Sequence, residues 1–178
     1  MADAKIDFIS LMQEFVAISA PSGGALRNQE RGVLKAVQGQ LTRLSLKDIP
    51  GDSVESYRQW LDCQTEKVLN ALTVRVKPWG AIRKALNLFM RACICDHYLR
   101  STFRLERIEA LAEIPLDSVV ATALKRKAGR GMLPVWPGLK WLNAEQNHRF
   151  QTFAEAYAKQ LGLPARVYLD NYLWLRNR

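Results

Sequence analysis

Apolar residues recur along this chain at intervals of three and four, the spacing that gathers them on one side of an α-helix. Residues 5–18 place Ile6, Ile9, Met12 or Gln13, and Val16 in this way, and Pro21-Ser22-Gly23-Gly24 ends the pattern. It resumes over 25–47 through Leu26, Val33, Val37, Leu41 and Leu44, across Gly32 and Gly39, and stops at Ile49-Pro50-Gly51. Ser53 is placed to cap a helix running to about Leu72, with Val54, Tyr57, Trp60 or Leu61, Val68 and Leu72 as its apolar face. A turn at Lys77–Gly80 opens a central helix over 81–98, with Ile82, Leu86, Phe89, Cys93 and Tyr98 on one side. A short helix is expected over Arg104–Leu111, and another from Asp117 through SVVATALKRKA to Gly129-Arg130-Gly131. Residues 132–142, MLPVWPGLKWL, hold two prolines and two tryptophans and predict a packed loop. Asn143 and Gln146 have the spacing of a capping box, and Gly162 stands where that helix should end. Pro164 then opens a last helix over 165–177.

No stretch alternates apolar and polar residues over a strand's length, so the expected fold is all-α with seven to nine helices. The length of 178 residues fits a single compact domain with two lobes, here divided as 1–72 and 73–178. Hydrophobic residues make up 48% of the chain, enough for a sizeable core, yet no apolar run is long enough to span a membrane. Asp3 and Asp7 occupy positions where a signal peptide needs basic residues, which points to a cytoplasmic protein, and a monomer is expected.

Charge narrows the partner. The net charge is +9, and polyanions, nucleic acid above all, are the natural counterpart. From Arg75 to Arg107 eight basic residues (Arg75, Lys77, Arg83, Lys84, Arg91, Arg100, Arg104, Arg107) face two acidic ones, Asp96 and Glu106. Lys125, Arg126, Lys127 and Arg130 form a second cluster. Metal chemistry has little support. Cys93 and Cys95 in Cys93-Ile94-Cys95-Asp96-His97 lie two apart, so on a helix they point about 200° apart and cannot share an ion. Three cysteines are too few for an iron–sulfur cluster and are read as reduced thiols, Cys93 as a small core residue. His97 and His148 have no nucleophile pattern around them. Neither a metal nor a cofactor is expected.

Two residues stand out. Lys84 follows the Pro78-Trp79-Gly80 turn in what reads as the first turn of a helix, and Asp117 follows Ile114-Pro115-Leu116 at the start of another, 33 residues on. The helix dipole and the neighbouring Arg83 both disfavour positive charge at Lys84, which favours the neutral amine that attacks carbon. Asp117 can cap its helix, and the same placement fixes a carboxylate that stabilises a sugar cation as a base departs.

These residues resemble a known family. Trp79-Gly80-Ala81-Ile82-Arg83-Lys84-Ala85-Leu86-Asn87-Leu88-Phe89 is similar to the hairpin end and catalytic-lysine helix of the helix-hairpin-helix (HhH-GPD) DNA glycosylases, most of all their archaeal 8-oxoguanine branch. Ile114-Pro115-Leu116-Asp117-Ser118 resembles that branch's Ile-Pro-Val-Asp segment, and Val167–Leu175 its closing Leu-His-Leu-Asp-x-x-Leu-Trp-Leu helix. The resemblance covers roughly residues 75–178. It departs at the hairpin, where Val76-Lys77-Pro78-Trp79-Gly80 has one glycine in place of the usual Leu-Pro-Gly-Val-Gly.

The resemblance implies an all-α glycosylase-like fold with its active site in a cleft between two helical lobes. It implies Lys84 as nucleophile and Asp117 as the catalytic carboxylate. Lys77, Trp79, Gly80, Arg83, Lys125, Lys127 and Arg130 are then expected to hold double-stranded DNA, with one damaged or modified nucleotide flipped out. Trp136, Trp141, Asp170 and Trp174 are expected to line the base pocket. Two rivals belong to other classes: a non-enzymatic helical DNA-binding protein with Lys84 on phosphate and Asp117 as a cap, and an all-α protein-interaction module.

Overall fold

The computed structural model describes residues 6–21, 26, 29, 30, 32–75 and 77–176. Among them every regular element is helical: α1 (Phe8–Ser19), α2 (Val33–Thr42), α3 (Val54–Asn70), α4 (Trp79–Cys95), α5 (His97–Phe103), α6 (Glu106–Glu109), α7 (Ser118–Ala128), α8 (Ala144–Gln160) and α9 (Leu169–Arg176), with a 3-10 turn at Arg166–Tyr168 leading into α9. The all-α expectation is met. Caps read from sequence hold the helix starts. Ser53 accepts from Ser56 N at 3.1 Å, Asp117 from Val120 N at 2.9 Å, and Asn143 from Gln146 N at 2.9 Å with the reciprocal capping-box bond present. Helix α8 ends as expected at Gly162, whose φ of +70° suits glycine, with Leu163 N returning to Ala158 O at 3.0 Å.

Several boundaries differ from the sequence reading; the last helix, expected over 165–177, opens as the 3-10 turn at Arg166–Tyr168 and is α-helical only from Leu169. The pattern over 25–47 yields only α2, from Val33, because Gly32 takes φ +92° and sets the helix start, while residues 22–25, 27, 28 and 31 lie outside the described ones. The single helix expected over 81–98 is two. Asp96 is extended, and its carboxylate caps α5 through Leu99 N at 2.9 Å, so Tyr98 belongs to α5 and is half exposed. Arg104, with φ +52°, then ends α5, and the helix expected over 104–111 shrinks to α6.

Buried side chains form two cores. The first gathers α1–α6 with Ala165 and Val167, and the second gathers Ile114–Leu124, Leu133, Leu142, α8 and α9. They part between Ala112 and Ile114, so residues 1–72 share their core with α4. Helix α4 is the central element: 11 of its 17 residues are buried, and it packs on α1, α2, α3, α5 and α8. Trp79 packs against both cores. No described helix is long and apolar enough to cross a membrane.

Candidate active site

The boundary between the cores brings Lys84 and Asp117 together. Lys84 is the sixth residue of α4, so it sits in the second turn rather than the first, beyond the reach of the helix-end dipole. Its Nζ donates to Asp117 Oδ2 at 3.0 Å, with side chains 12% and 29% exposed. Asp117 Oδ1 accepts from Val120 N, so one carboxylate caps α7 and meets the amine. The pair is sheltered without being fully buried.

Arg83 corrects the sequence reading twice. It was expected to touch DNA and to press a like charge on Lys84, but its side chain is 1% exposed and turns inward. There its guanidinium grips Glu113 with two bonds of 2.9 Å and donates to Asp62 at 2.8 Å. Burial raises the Glu113 carboxyl, but the charge and bonds of Arg83, with Arg166 and Asn87, outweigh it and hold the group at about 2. Asn87 and Asn147 donate to the same carboxylate at 3.1 and 3.2 Å.

This buried network anchors the segment that delivers Asp117. Arg166 donates to the carbonyls of Leu111 and Ala112, Glu113 is held as above, and Gln151 bonds both N and O of Ile114 at 3.0 and 2.9 Å. Four consecutive residues are thus tied by side chains from α4, α8 and the 3-10 turn. Sequence reasoning missed Glu113, Asn147, Gln151 and Arg166. The available signal was polar residues at helical spacing among apolar ones, as with Asn147 and Gln151 on the face of α8 that also carries Phe150 and Ala154.

A cavity of about 450 Å³ is lined by Arg91, Asp170, Asn171, Trp174 and Leu175; Lys84 and Asp117 are not on its wall, and Asp170 connects it to them through their charges. Arg91 falls two turns after Lys84 on α4 and was also missed, although a spacing of seven places both on one face. Asp170 pairs with Arg91. Burial pushes the Asp170 carboxyl up, Arg91 pulls it back, and weaker pushes from Asp117 and pulls from Lys84 place all four charges within one field.

The expected base-pocket residues therefore separate. Asp170 and Trp174 line the cavity, but Trp136 stands edge-on to Phe150 at 5.7 Å against the second core, and Trp141 lies exposed under Lys140. Neither of these two tryptophans reaches the cavity wall.

The expected DNA contacts divide as well. Lys77, Lys127 and Arg130 are exposed and Lys125 partly so. Gly80 is buried within α4, where an added Cβ would meet Leu139 O at 2.6 Å and Leu142 Cβ at 2.7 Å; its smallness serves packing. Trp79 is half-buried, with the Arg83 guanidinium 5.3 Å from its ring centre. Val76, the first hairpin position, lies outside the described residues. Cys93 is buried in the first core, whereas Cys95 is exposed.

A larger cavity, about 510 Å³, opens elsewhere between α2 and α3 and includes Arg43, Asp48, Trp60 and Lys67. None of its charged side chains forms an ion pair among the described residues, whereas the smaller one holds the Arg91–Asp170 pair. Set against protein-family profiles, curated proteins and solved structures, the chain finds no match.

Proposed function

We propose that this protein is a DNA glycosylase in which Lys84 is the nucleophile and Asp117 its carboxylate partner. The observation that carries the reading is the 3.0 Å Lys84–Asp117 pair, set where the two cores meet and coupled in charge to Asp170, which lines a cavity with Trp174. The net charge of +9 supports a duplex DNA partner gripped through phosphates. Asp117 accepts a proton from Lys84, and the freed amine attacks C1′ of a flipped nucleotide. The base leaves with the electrons of the N-glycosidic bond and takes up a proton. Opening of the sugar ring gives a Schiff base on Lys84, and β-elimination then releases the 3′ phosphate and nicks the strand. Trp174 and the Arg91–Asp170 pair offer a stacking face and hydrogen-bonding groups for the extruded base. A damaged purine such as oxidised guanine and a modified pyrimidine such as a phage-type cytosine are the two substrate classes to test.

One observation favours a non-enzymatic DNA-binding protein. Both Asp117 oxygens already have structural partners, the α7 cap and the Lys84 ion pair. Borohydride trapping separates the readings. The glycosylase yields a covalent protein–DNA adduct on at least one of the two substrates. Salt-sensitive binding with no adduct on either favours the rival.

A further inference from the structure

We propose that α1 seats a second copy of this chain, giving a two-fold dimer in place of the monomer expected from sequence. The inner side of α1 is well defined. Val16 and Ala17 are buried, and Gln13 Nε2 donates to the carbonyls of Thr42 and Leu44 at 3.0 and 2.7 Å. The outer side is also apolar. Phe8, Leu11, Phe15 and Ile18 form a stripe there, with Phe15 63% exposed and the other three near half. Ile6, just before the Asp7 cap, is exposed as well, and Tyr98 of α5 stands edge-on to Phe8 at 4.8 Å. A helix apolar on both sides belongs to a structure that covers both. Scattered exposed apolar residues need no explanation, but a contiguous stripe of this kind marks an interface.

Charge selects the occupant. Helix α1 carries no basic residue on a chain of net charge +9; its N-cap is Asp7 and its one charged residue is Glu14. Neither DNA nor an anionic lipid surface suits such a stripe, because both draw on lysine and arginine. The spacing selects a second copy. Positions 8, 11, 15 and 18 step by three, four and three, the seam of a helix pair, and read the same in reverse about residue 13. An antiparallel copy therefore sets Phe8 against Ile18 of the other chain and Leu11 against Phe15, the self-complementarity that a two-fold contact requires. The area is also sufficient. At roughly 150–250 Å² for a fully exposed large side chain, the six residues offer on the order of 600 Å² of apolar surface. A standard interface buries about 800 Å² per partner, of which about 65% is apolar in homodimers. Glu14 flanks the seam next to the midpoint, so the axis brings the two copies of this carboxylate to the same rim.

Sedimentation velocity and light scattering across the micromolar range test the proposal. The wild-type chain should reach twice the 20.3 kDa of one copy as concentration rises. Phe15→Glu and, separately, the milder Leu11→Ser should return it to the mass of one copy with an unchanged helical circular dichroism spectrum. Glu14→Gln should tighten the dimer several-fold. A wild-type chain that stays at one copy throughout, or a dimer that persists in both folded variants, overturns the proposal. Neither substitution touches Lys84, Asp117 or the cavity lined by Asp170 and Trp174, so these outcomes are independent of the glycosylase reading.

Discussion

Asp117 serves two purposes through two oxygens, and substitution can separate them. In Asp117→Asn the remaining side-chain oxygen still accepts from Val120 N, so stability should change by less than about 1 kcal/mol. The negative charge facing Lys84 is lost, and base release should fall at least about a hundredfold while DNA binding persists. Normal cleavage by this variant would reduce Asp117 to a cap. Glu113 gives a second prediction, on stability. Its carboxyl sits at about 2 in the fold against an ordinary 4.5, so the unfolded chain binds more protons between these values. The stabilisation is complete above pH 4.5 and is lost as pH falls towards 2, amounting to about 3 kcal/mol. Denaturant unfolding at pH 7, 4 and 3 should show that loss in the wild type and a flatter profile in Glu113→Gln. The same variant should be weaker at pH 7 by about 3–5 kcal/mol, because Arg83 stays buried with half its carboxylate partners gone. An unchanged pH profile would contradict this account of the network. At this scale the sequence displayed Lys84 and Asp117 clearly and concealed Arg83. A basic residue in a basic run reads as surface, yet Arg83 shares its helix phase with Leu86, Asn87, Met90 and Ile94, all buried. Phase, not charge, was the informative signal.

Helices were legible wherever side-chain chemistry marked their ends. Ser53, Asp117, Asn143 and Gly162 all act at termini as their residue types require. The break at Asp96 was obscure because neither proline nor glycine marks it; a capping carboxylate alone turns the chain. The role of Gly80 was equally hidden, since only tertiary structure brings Leu139 and Leu142 against it. It supplies a prediction at this scale. Gly80→Ala improves helix propensity by about 1 kcal/mol, but its Cβ meets the Leu139 carbonyl and Leu142 Cβ at 2.6 and 2.7 Å, so the 138–142 turn must move. The net effect should be destabilising by about 1–3 kcal/mol, read by thermal unfolding. A gain in stability would show that the turn yields freely.

The all-helical class and a surplus of positive charge were both present in the sequence, but the meeting of two cores along α4 was not. That arrangement arises from long-range packing of residues 114–173 on a helix from the first half, which local periodicity does not encode. The basic surplus predicts duplex binding that weakens steeply with salt, by roughly one power of salt concentration for each phosphate neutralised. A flat dependence in a titration against added salt would remove DNA as the partner. The most direct test of the central claim is to locate the covalent bond. DNA carrying the substrate base is incubated with wild-type protein and with Lys84→Gln, treated with borohydride, digested and mapped by mass spectrometry. The account predicts a sugar remnant on the peptide bearing Lys84 and no adduct from Lys84→Gln. A remnant on any other lysine, or an adduct of undiminished yield from Lys84→Gln, would contradict it.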